Sequence, residues 1–190
     1  MPKLFYLLLA FFGFLAGKIP ADKAPLTDPF AGYTELLRSE GDLDADGQTD
    51  RIIVYEKDCG EEDDSPSNLS RCRRTAIFLK RDGDYKLFGY NDNLIACSDC
   101  ANAGAHDPFQ GLRCGKGFFE VDTYEGECHK IYQTYRFRYD AASADFLLHT
   151  LKTEEYICED PEDPNANTTH TESMETEKDF GIVRFLSFGF

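Results

Sequence analysis

The chain has 190 residues, which is enough for one domain with a hydrophobic core. Its formal net charge of −15 argues against binding to nucleic acid or to anionic lipid, because like charges repel. The charge suits a basic partner, although solubility alone would also account for it.

Residues 1–17 have the layout of a secretory signal peptide. Lys3 precedes an apolar run of 13 residues, 4–16, and small residues follow around Ala16 and Gly17. A bilayer-spanning helix needs about 20 residues, so the run is too short to span; an uncleaved membrane anchor is the alternative. The sequence therefore predicts an exported protein that begins near Lys18 and does not insert into a membrane after cleavage.

The first half of the mature chain predicts one short helix followed by strands. "YTELLRSE" (33–40) could form two helical turns, and an acidic loop follows it. Beyond the loop, "RIIVYEK" (51–57) and "TAIFLKR" (75–81) have the composition of strands, on either side of a polar segment, 58–74, that we expect to be a mobile loop. "DGD" then predicts a tight turn into a hairpin partner, "YKLFGY".

The second half continues with period-two patterns. After a turn-rich stretch around Leu94–Ala96, the expected strands are "GFFEVDTY", "HKIYQTYRFRYD", "DFLLHTLKTEEY" and "FGIVRFLSF". In the second of these, Tyr135 and Phe137 share one face. Residues 159–178 are polar and predict a second mobile loop.

Nearly every predicted element is therefore a strand, and residues 18–190 predict a single all-β domain. Its strands should be mainly antiparallel, in a sandwich or a closed sheet. A small propeller is less favoured, because a chain of this length holds too few four-stranded blades.

The acidic loop has the spacing D-x-D-x-D-G-x-x-D. Counted from Asp42, the aspartates fall at positions 1, 3, 5 and 9, with a glycine at position 6 that permits a sharp bend. Four carboxylates and the position-7 carbonyl would supply hard oxygen ligands for calcium, and without a cation the acids would repel one another. The predicted ligands are Asp42, Asp44, Asp46, Gln48 and Asp50. A solvated acidic turn is the alternative. Position 12 is Ile53 rather than Glu, so the loop is not an EF-hand.

Seven cysteines in an exported chain predict disulfides. Local spacing favours three pairs, namely Cys59 with Cys72, Cys97 with Cys100, and Cys114 with Cys128. Cys158 is then left over, as a free thiol or an intermolecular partner, unless one of these pairings is wrong. "CSDC" has redox-motif spacing, but no βαβ pattern surrounds it, so a redox role is disfavoured. A zinc site built from Cys97, Cys100, Cys114 and His129 is also disfavoured, because its second half lacks paired-ligand spacing.

The stretch "GDLDADGQTDRIIVYE" (41–56) resembles the calcium-loop strands of FG-GAP/VCBS-type proteins. Further segments resemble, in the same order, a family of exported bacterial proteins: "DGDYKLFGYNDNLIACSDC", "DPFQG", "GFFEVDTYEG", "YRFRYD" and "KDFGIVRF". One branch of that family consists of periplasmic immunity proteins, which inhibit lysozyme-like peptidoglycan hydrolases injected into rival bacteria by a type IV secretion system. The resemblance covers roughly residues 40–190 and implies a periplasmic location and the same five calcium ligands.

The resemblance also points to a partner-binding loop at "YEGE". A "YGGS"-like turn of the family matches these residues, with Tyr124 and Gly126 kept and with Glu125 and Glu127 in place of a glycine and a serine. A protruding loop with a tyrosine and two acids could plug a glycosidase cleft, which holds a pair of carboxyl groups and binds polar sugar rings. The alternative is that Tyr124 is an ordinary residue at a strand end.

The favoured hypothesis is a periplasmic, calcium-binding immunity protein that blocks a lysozyme-like peptidoglycan hydrolase by occluding its active-site cleft. The alternative is a structural or adhesive calcium-binding module of the envelope without an enzyme target. The sequence contains no nucleophile elbow, phosphate-binding loop or HExxH motif, so we do not expect the protein to be an enzyme.

Overall fold

Two antiparallel β-sheets make up the described part of the chain in a computed structural model, as the period-two sequence patterns predict. The structure describes residues 28–58, 71–98, 107–160 and 168–189. The β fold lies within Gly32–Phe190, and of the preceding unit, Met1–Ala31, only a turn at 28–31 is described. The predicted signal peptide, 1–17, lies outside the described residues.

Each sheet is an up-and-down meander, because every strand pairs with its neighbours in the chain. The strands of the first sheet are β1 (Thr34–Gly41), β2 (Asp50–Asp58), β3 (Arg71–Arg81) and β4 (Asp84–Asn91). Those of the second sheet are β5 (Phe109–Gly115), β6 (Phe118–Glu125), β7 (Lys130–Asp140), β8 (Asp145–Cys158) and β9 (Thr168–Thr176). Over the described residues neither sheet closes into a barrel, so the sandwich arrangement is the one found.

The two sheets share one hydrophobic core. Ile52 and Ile77 of the first sheet are fully buried in the same cluster as Phe119 and Phe137 of the second. The rings of Phe119 and Phe137 stack with their centroids 5.1 Å apart. Tyr135 is buried on the same face of β7 as Phe137, so the predicted inward face of this strand is confirmed.

The predicted helix at 33–40 is wrong, because this segment forms the edge strand β1. Leu36 and Leu37, the adjacent leucines of this segment, are 40% and 37% exposed. Backbone pairing with β2 therefore outweighs the local leucine pattern. β5 was also missed, because its glycines, Gly111 and Gly115, break the period-two pattern.

The predicted loop at 159–178 is wrong in part, because it contains β9. This strand is exposed along nearly its whole length and pairs with β8 through the backbone, so it has no apolar alternation to reveal it. In the predicted loop at 58–74, residues 71–74 belong to β3, and 59–70 lie outside the described residues.

The predicted C-terminal strand at 180–188 is wrong as well. A one-turn helix, α1 (Glu177–Phe180), begins with a capping box between Thr176 and Asp179. A 3-10 helix (Phe185–Ser187) follows and inserts the side chain of Phe185 into the core, where it is fully buried. The amide group of Asn91 donates to the carbonyl oxygens of Phe185 and Phe188 and so fixes this segment on the sandwich.

The predicted pairing of Cys114 with Cys128 is wrong, because Cys128 forms a disulfide with Cys158 and Cys114 is a free thiol. Cys114 lies opposite Phe119, at the start of β6, whereas Cys128 follows the end of that eight-residue strand. At about 3.3 Å per residue, the two cysteines lie roughly 25 Å apart. In contrast, the register of β7 and β8, in which Lys130 faces Tyr156, places Cys128 opposite Cys158.

Of the four cysteines in the other two predicted pairs, the structure describes Cys72 and Cys97. Cys72 and Cys97 are both disulfide-bonded, as expected. Their predicted partners, Cys59 and Cys100, lie outside the described residues. Burial raises the pKa of the Cys114 thiol to about 11, so this cysteine is protonated at neutral pH.

No helix in the described ranges has the length and apolarity that a membrane crossing requires.

We predict that alkylation of the unfolded, unreduced protein labels Cys114 and leaves Cys128 and Cys158 linked in one peptide pair, which mass spectrometry would detect. Replacing both linked cysteines by alanine should lower the free energy of unfolding by about 2–4 kcal/mol, because the cross-link restricts the unfolded chain. Cys114→Ser is the control for general thiol loss. A peptide that links Cys114 to Cys128 would contradict the structure.

Candidate functional site

The acidic loop connects β1 to β2 and lies against the core. Leu43, between the first two aspartates, is fully buried among residues of both sheets. Asp50 is the first residue of β2. The loop is therefore anchored to the protein at both of these points.

The carboxylate of Asp50 joins the loop to strand β3. Its Oδ2 accepts the N–H of Leu43 at 2.9 Å, and its Oδ1 accepts the N–H of Lys80, also at 2.9 Å. The side chain is fully buried. Burial raises the pKa of this carboxyl above its usual value, and the nearby charge of Asp44 adds to the effect. The charged form of Asp50 would thus be stabilised by a nearby cation.

The backbone of the loop curls around its own carboxylates. Gly47 donates its N–H to Oδ1 of Asp42 at 3.1 Å, and Asp46 donates its N–H to Oδ1 of Asp44 at 3.3 Å. Gly47 has a φ of 88°, a value that glycine adopts without strain. The bend predicted at position 6 is therefore present.

Three of the five predicted ligands come together. One ligand oxygen each from Asp42, Asp44 and Asp50 lies within 4.8 Å of the other two. Asp46 lies outside this group, and its carboxylate accepts the backbone N–H of Gln48 at 2.8 Å and the side-chain amide of Gln48 at 3.0 Å. The side chain of Gln48 thus contacts Asp46, whereas its position-7 carbonyl stays a predicted ligand.

Arg81, at the end of β3, supplies a positive charge to the loop that sequence reasoning did not anticipate. Its guanidinium forms ion pairs with Asp44 and with Asp46, the latter at 3.0 Å. One guanidinium cannot balance four carboxylates, so the loop keeps an excess of negative charge. Asp44, whose side chain is only 3% exposed, is one of the two carboxylates that Arg81 balances.

The donor set fits a calcium ion. Carboxylate oxygens are the ligands that calcium prefers, at about 2.3–2.6 Å, so two ligands on opposite sides of the ion lie about 5 Å apart. The spacing of Asp42, Asp44 and Asp50 is within that limit. Both oxygens of Asp50 already accept an N–H, but each keeps a second lone pair for a metal.

The predicted partner loop is the turn between β6 and β7. Tyr124 lies on the outer face of the second sheet, and Glu125, the next residue, lies on the opposite face. Gly126 has a φ of 96°, and a Cβ at this position would lie 1.7 Å from the carbonyl oxygen of His129, so only glycine fits the turn. Glu127 is exposed in the turn. The structure thus places Tyr124 and Glu125, which the sequence grouped together, on opposite faces of the sheet.

The acidic loop and the β6–β7 turn lie at opposite ends of β6. Gly117, just before β6, donates its N–H to the carbonyl oxygen of Asp42 at 2.7 Å. The turn follows Glu125, eight residues further along the strand, or roughly 25 Å away. A metal in the acidic loop would therefore stabilise the sandwich without touching a partner at the turn.

Near the turn, a cavity of about 720 Å³ is lined by apolar side chains of the second sheet, of the segment that follows β4 and of the C-terminal segment. Ile95, Leu151 and Phe188 are among them, and Glu125 and Glu175 are its acidic lining residues.

No protein-family model matches the chain, and no significantly similar curated protein or solved structure was found. The likeness to FG-GAP/VCBS-type proteins therefore rests on the sequence motifs given above.

We predict that Asp50→Ala lowers the free energy of unfolding by about 2–4 kcal/mol even in excess EDTA, because two backbone N–H groups lose a buried, charged acceptor. Urea denaturation followed by circular dichroism would measure the change. Asp82→Asn is the matched control, since this aspartate side chain lies in a turn and is 92% exposed. A change below about 0.5 kcal/mol for Asp50→Ala would contradict the role of Asp50 as a structural acceptor.

Proposed function

We propose that this protein is an exported, calcium-stabilised inhibitor that binds a lysozyme-like peptidoglycan hydrolase and occludes its cleft. The observation that carries the proposal is the β6–β7 turn, where Tyr124 and Glu127 stand at the end of a sheet and the disulfide from Cys128 to Cys158 fixes the chain. A binding loop that is rigid before association loses less conformational entropy when it binds.

Tyrosine is suited to a cleft that holds two carboxyl groups. An ordinary tyrosine pKa of about 10 already keeps the hydroxyl protonated at physiological pH, so it can donate to a carboxylate. The pKa of Tyr124 is raised further, mainly by burial and then by Tyr132 and Glu127. Glu127 would repel those carboxylates but attract basic groups around the cleft. The net charge of −15 supports attraction to a basic enzyme over longer distances.

In this proposal calcium has a structural role. Bound at Asp42, Asp44 and Asp50, it would offset the repulsion among the carboxylates. The ion would hold the loop that connects β1 to β2 against the core. It would not form part of the binding surface.

We predict that calcium raises the melting temperature relative to EDTA. At a free concentration 100 times the dissociation constant, binding adds about 2.7 kcal/mol, or roughly 5–10 °C for a chain of this size. Asp44→Asn should remove most of the shift, whereas Asp82→Asn should leave it unchanged. Differential scanning calorimetry provides the measurement, and equal melting temperatures of the wild type in calcium and in EDTA would contradict the site.

We predict that the protein, at tenfold molar excess, abolishes lysis of purified peptidoglycan by the lysozyme-like hydrolase encoded beside its gene. Tyr124→Phe, which removes only the hydroxyl, should weaken inhibition about 10-fold, and Tyr90→Phe should not. Turbidity of the peptidoglycan suspension measures lysis. The absence of such a neighbouring hydrolase, or undiminished lysis by it, would overturn the proposed function.

A further inference from the structure

Four aromatic side chains form a continuous row across the outer face of the second sheet, one from each of its last four strands. This aromatic row consists of Tyr124 (β6), Tyr132 (β7), Tyr156 (β8) and His170 (β9). The ring centroids of successive members are 4.7, 5.8 and 4.4 Å apart. The row begins at the tyrosine of the β6–β7 turn and extends to the edge of the sheet.

Strand register explains the row. Tyr124 lies directly opposite Tyr132, and Tyr156 lies directly opposite His170. Tyr132 faces Glu154, so Tyr156 is its diagonal neighbour, two residues along β8. Directly opposed and diagonal side chains on one face are close enough for aromatic rings to touch.

The row is accessible. Tyr132 is 42% exposed, His170 is exposed, and Tyr124 and Tyr156 are half-buried. Because the rings pack against one another, parts of their faces are already covered, and the hydroxyl of Tyr156 already lies 3.5 Å from Oε2 of Glu154, so a partner would contact mainly the exposed ring edges. Such a surface suits a protein better than a sugar, which would need a bare ring face. Tyrosine also offers a large contact area at a low cost in side-chain entropy.

The surroundings of the row are acidic. On the face of the row, Glu154 and Glu172 lie two residues from Tyr156 and His170, and Glu127 is exposed in the adjoining turn. Beside the row, Lys152 holds Glu154 at 2.7 Å and Glu172 at 2.9 Å, so these two carboxylates are fixed next to the rings. One lysine shared by two carboxylates, the exposed Glu127 and the net charge of −15 therefore favour a positively charged partner over an acidic one.

The row is also rigid before binding. Its middle members lie on β7 and β8, which pair along their whole length and are linked beyond the row by the disulfide between Cys128 and Cys158. At the edge of the sheet, the ring of Tyr156 stacks on that of His170 at an interplanar angle of 17°.

We propose that the aromatic row is the principal binding surface for a basic protein and that the β6–β7 turn is only its margin. This inference rests on the proposed function, since it takes the basic partner to be the lysozyme-like hydrolase. The inference differs from the proposed function, which places binding at the β6–β7 turn, because it assigns most of the binding energy to Tyr132 and Tyr156, outside that turn. The enzyme would then lie across four strands of the sheet and not only around a protruding loop.

The test uses the full mature protein and the neighbouring hydrolase, with affinity measured by biolayer interferometry and inhibition measured in parallel. We expect Tyr132→Ala and Tyr156→Ala each to weaken binding at least 30-fold. Tyr90→Ala is the matched control, since Tyr90 lies on the first sheet with a similar exposure, 38%, and should change the affinity less than 3-fold. Thermal melting of each variant shows whether it is folded.

Hydroxyl-radical footprinting of the wild-type complex gives a second result that needs no variant. We expect the enzyme to protect Tyr132 and Tyr156 from oxidation and to leave Tyr90 unprotected. Wild-type inhibition tests the proposed function, whereas the variants and the footprint test the row, so the two failures are distinguishable. Inhibition by a wild type whose Tyr132 and Tyr156 remain unprotected, or by folded variants with unchanged affinity, would overturn the row while leaving the inhibitor proposal standing.

Discussion

The buried carboxylate of Asp50 is the contact on which the arrangement of this protein depends. It accepts one N–H from the acidic loop and one from β3, and the same loop buries Leu43 in the core shared by both sheets. The loop also accepts the N–H of Gly117 from the turn that precedes β6. One short acidic segment therefore ties together the first sheet, the core and the start of the second sheet, and this accounts for a run of aspartates directly before a buried strand.

The crowding of acids that makes this connection possible also creates its main electrostatic problem. Arg81 balances part of the charge through Asp44 and Asp46, and the group formed by Asp42, Asp44 and Asp50 is spaced for a divalent cation. Burial makes the remaining charge on Asp50 unfavourable unless a cation compensates it. Calcium would thus serve stability at one end of β6, while the other end carries the aromatic side chains suited to a partner.

The main features of the candidate site could be predicted from the sequence, but not their partners in space. The aspartate spacing identified the acidic loop, yet Arg81 is 35 residues from Asp46 and 37 from Asp44 and carries no motif that would link it to the loop. Tyr124 was found through its turn. Tyr132 and Tyr156 were not found from the sequence. The contact between them depends on the register of β7 against β8, and the alternation of residues along each strand does not determine that register. The free thiol at Cys114 and the bond between Cys128 and Cys158 likewise follow from which strand ends lie side by side.

The sequence by itself determined the all-β class, the strands with strong apolar alternation and the bend of the acidic loop, because these depend on period-two burial and on local backbone preferences. Only the tertiary structure decided the edge strands β1 and β9, whose exposed residues reveal no period. It also decided the register of β7 against β8, where an irregularity after Arg136 shifts the pairing by one residue and brings Cys128 opposite Cys158. A shift of one residue reverses which side chains share a face, and this distinction is made by packing between sheets rather than by local sequence.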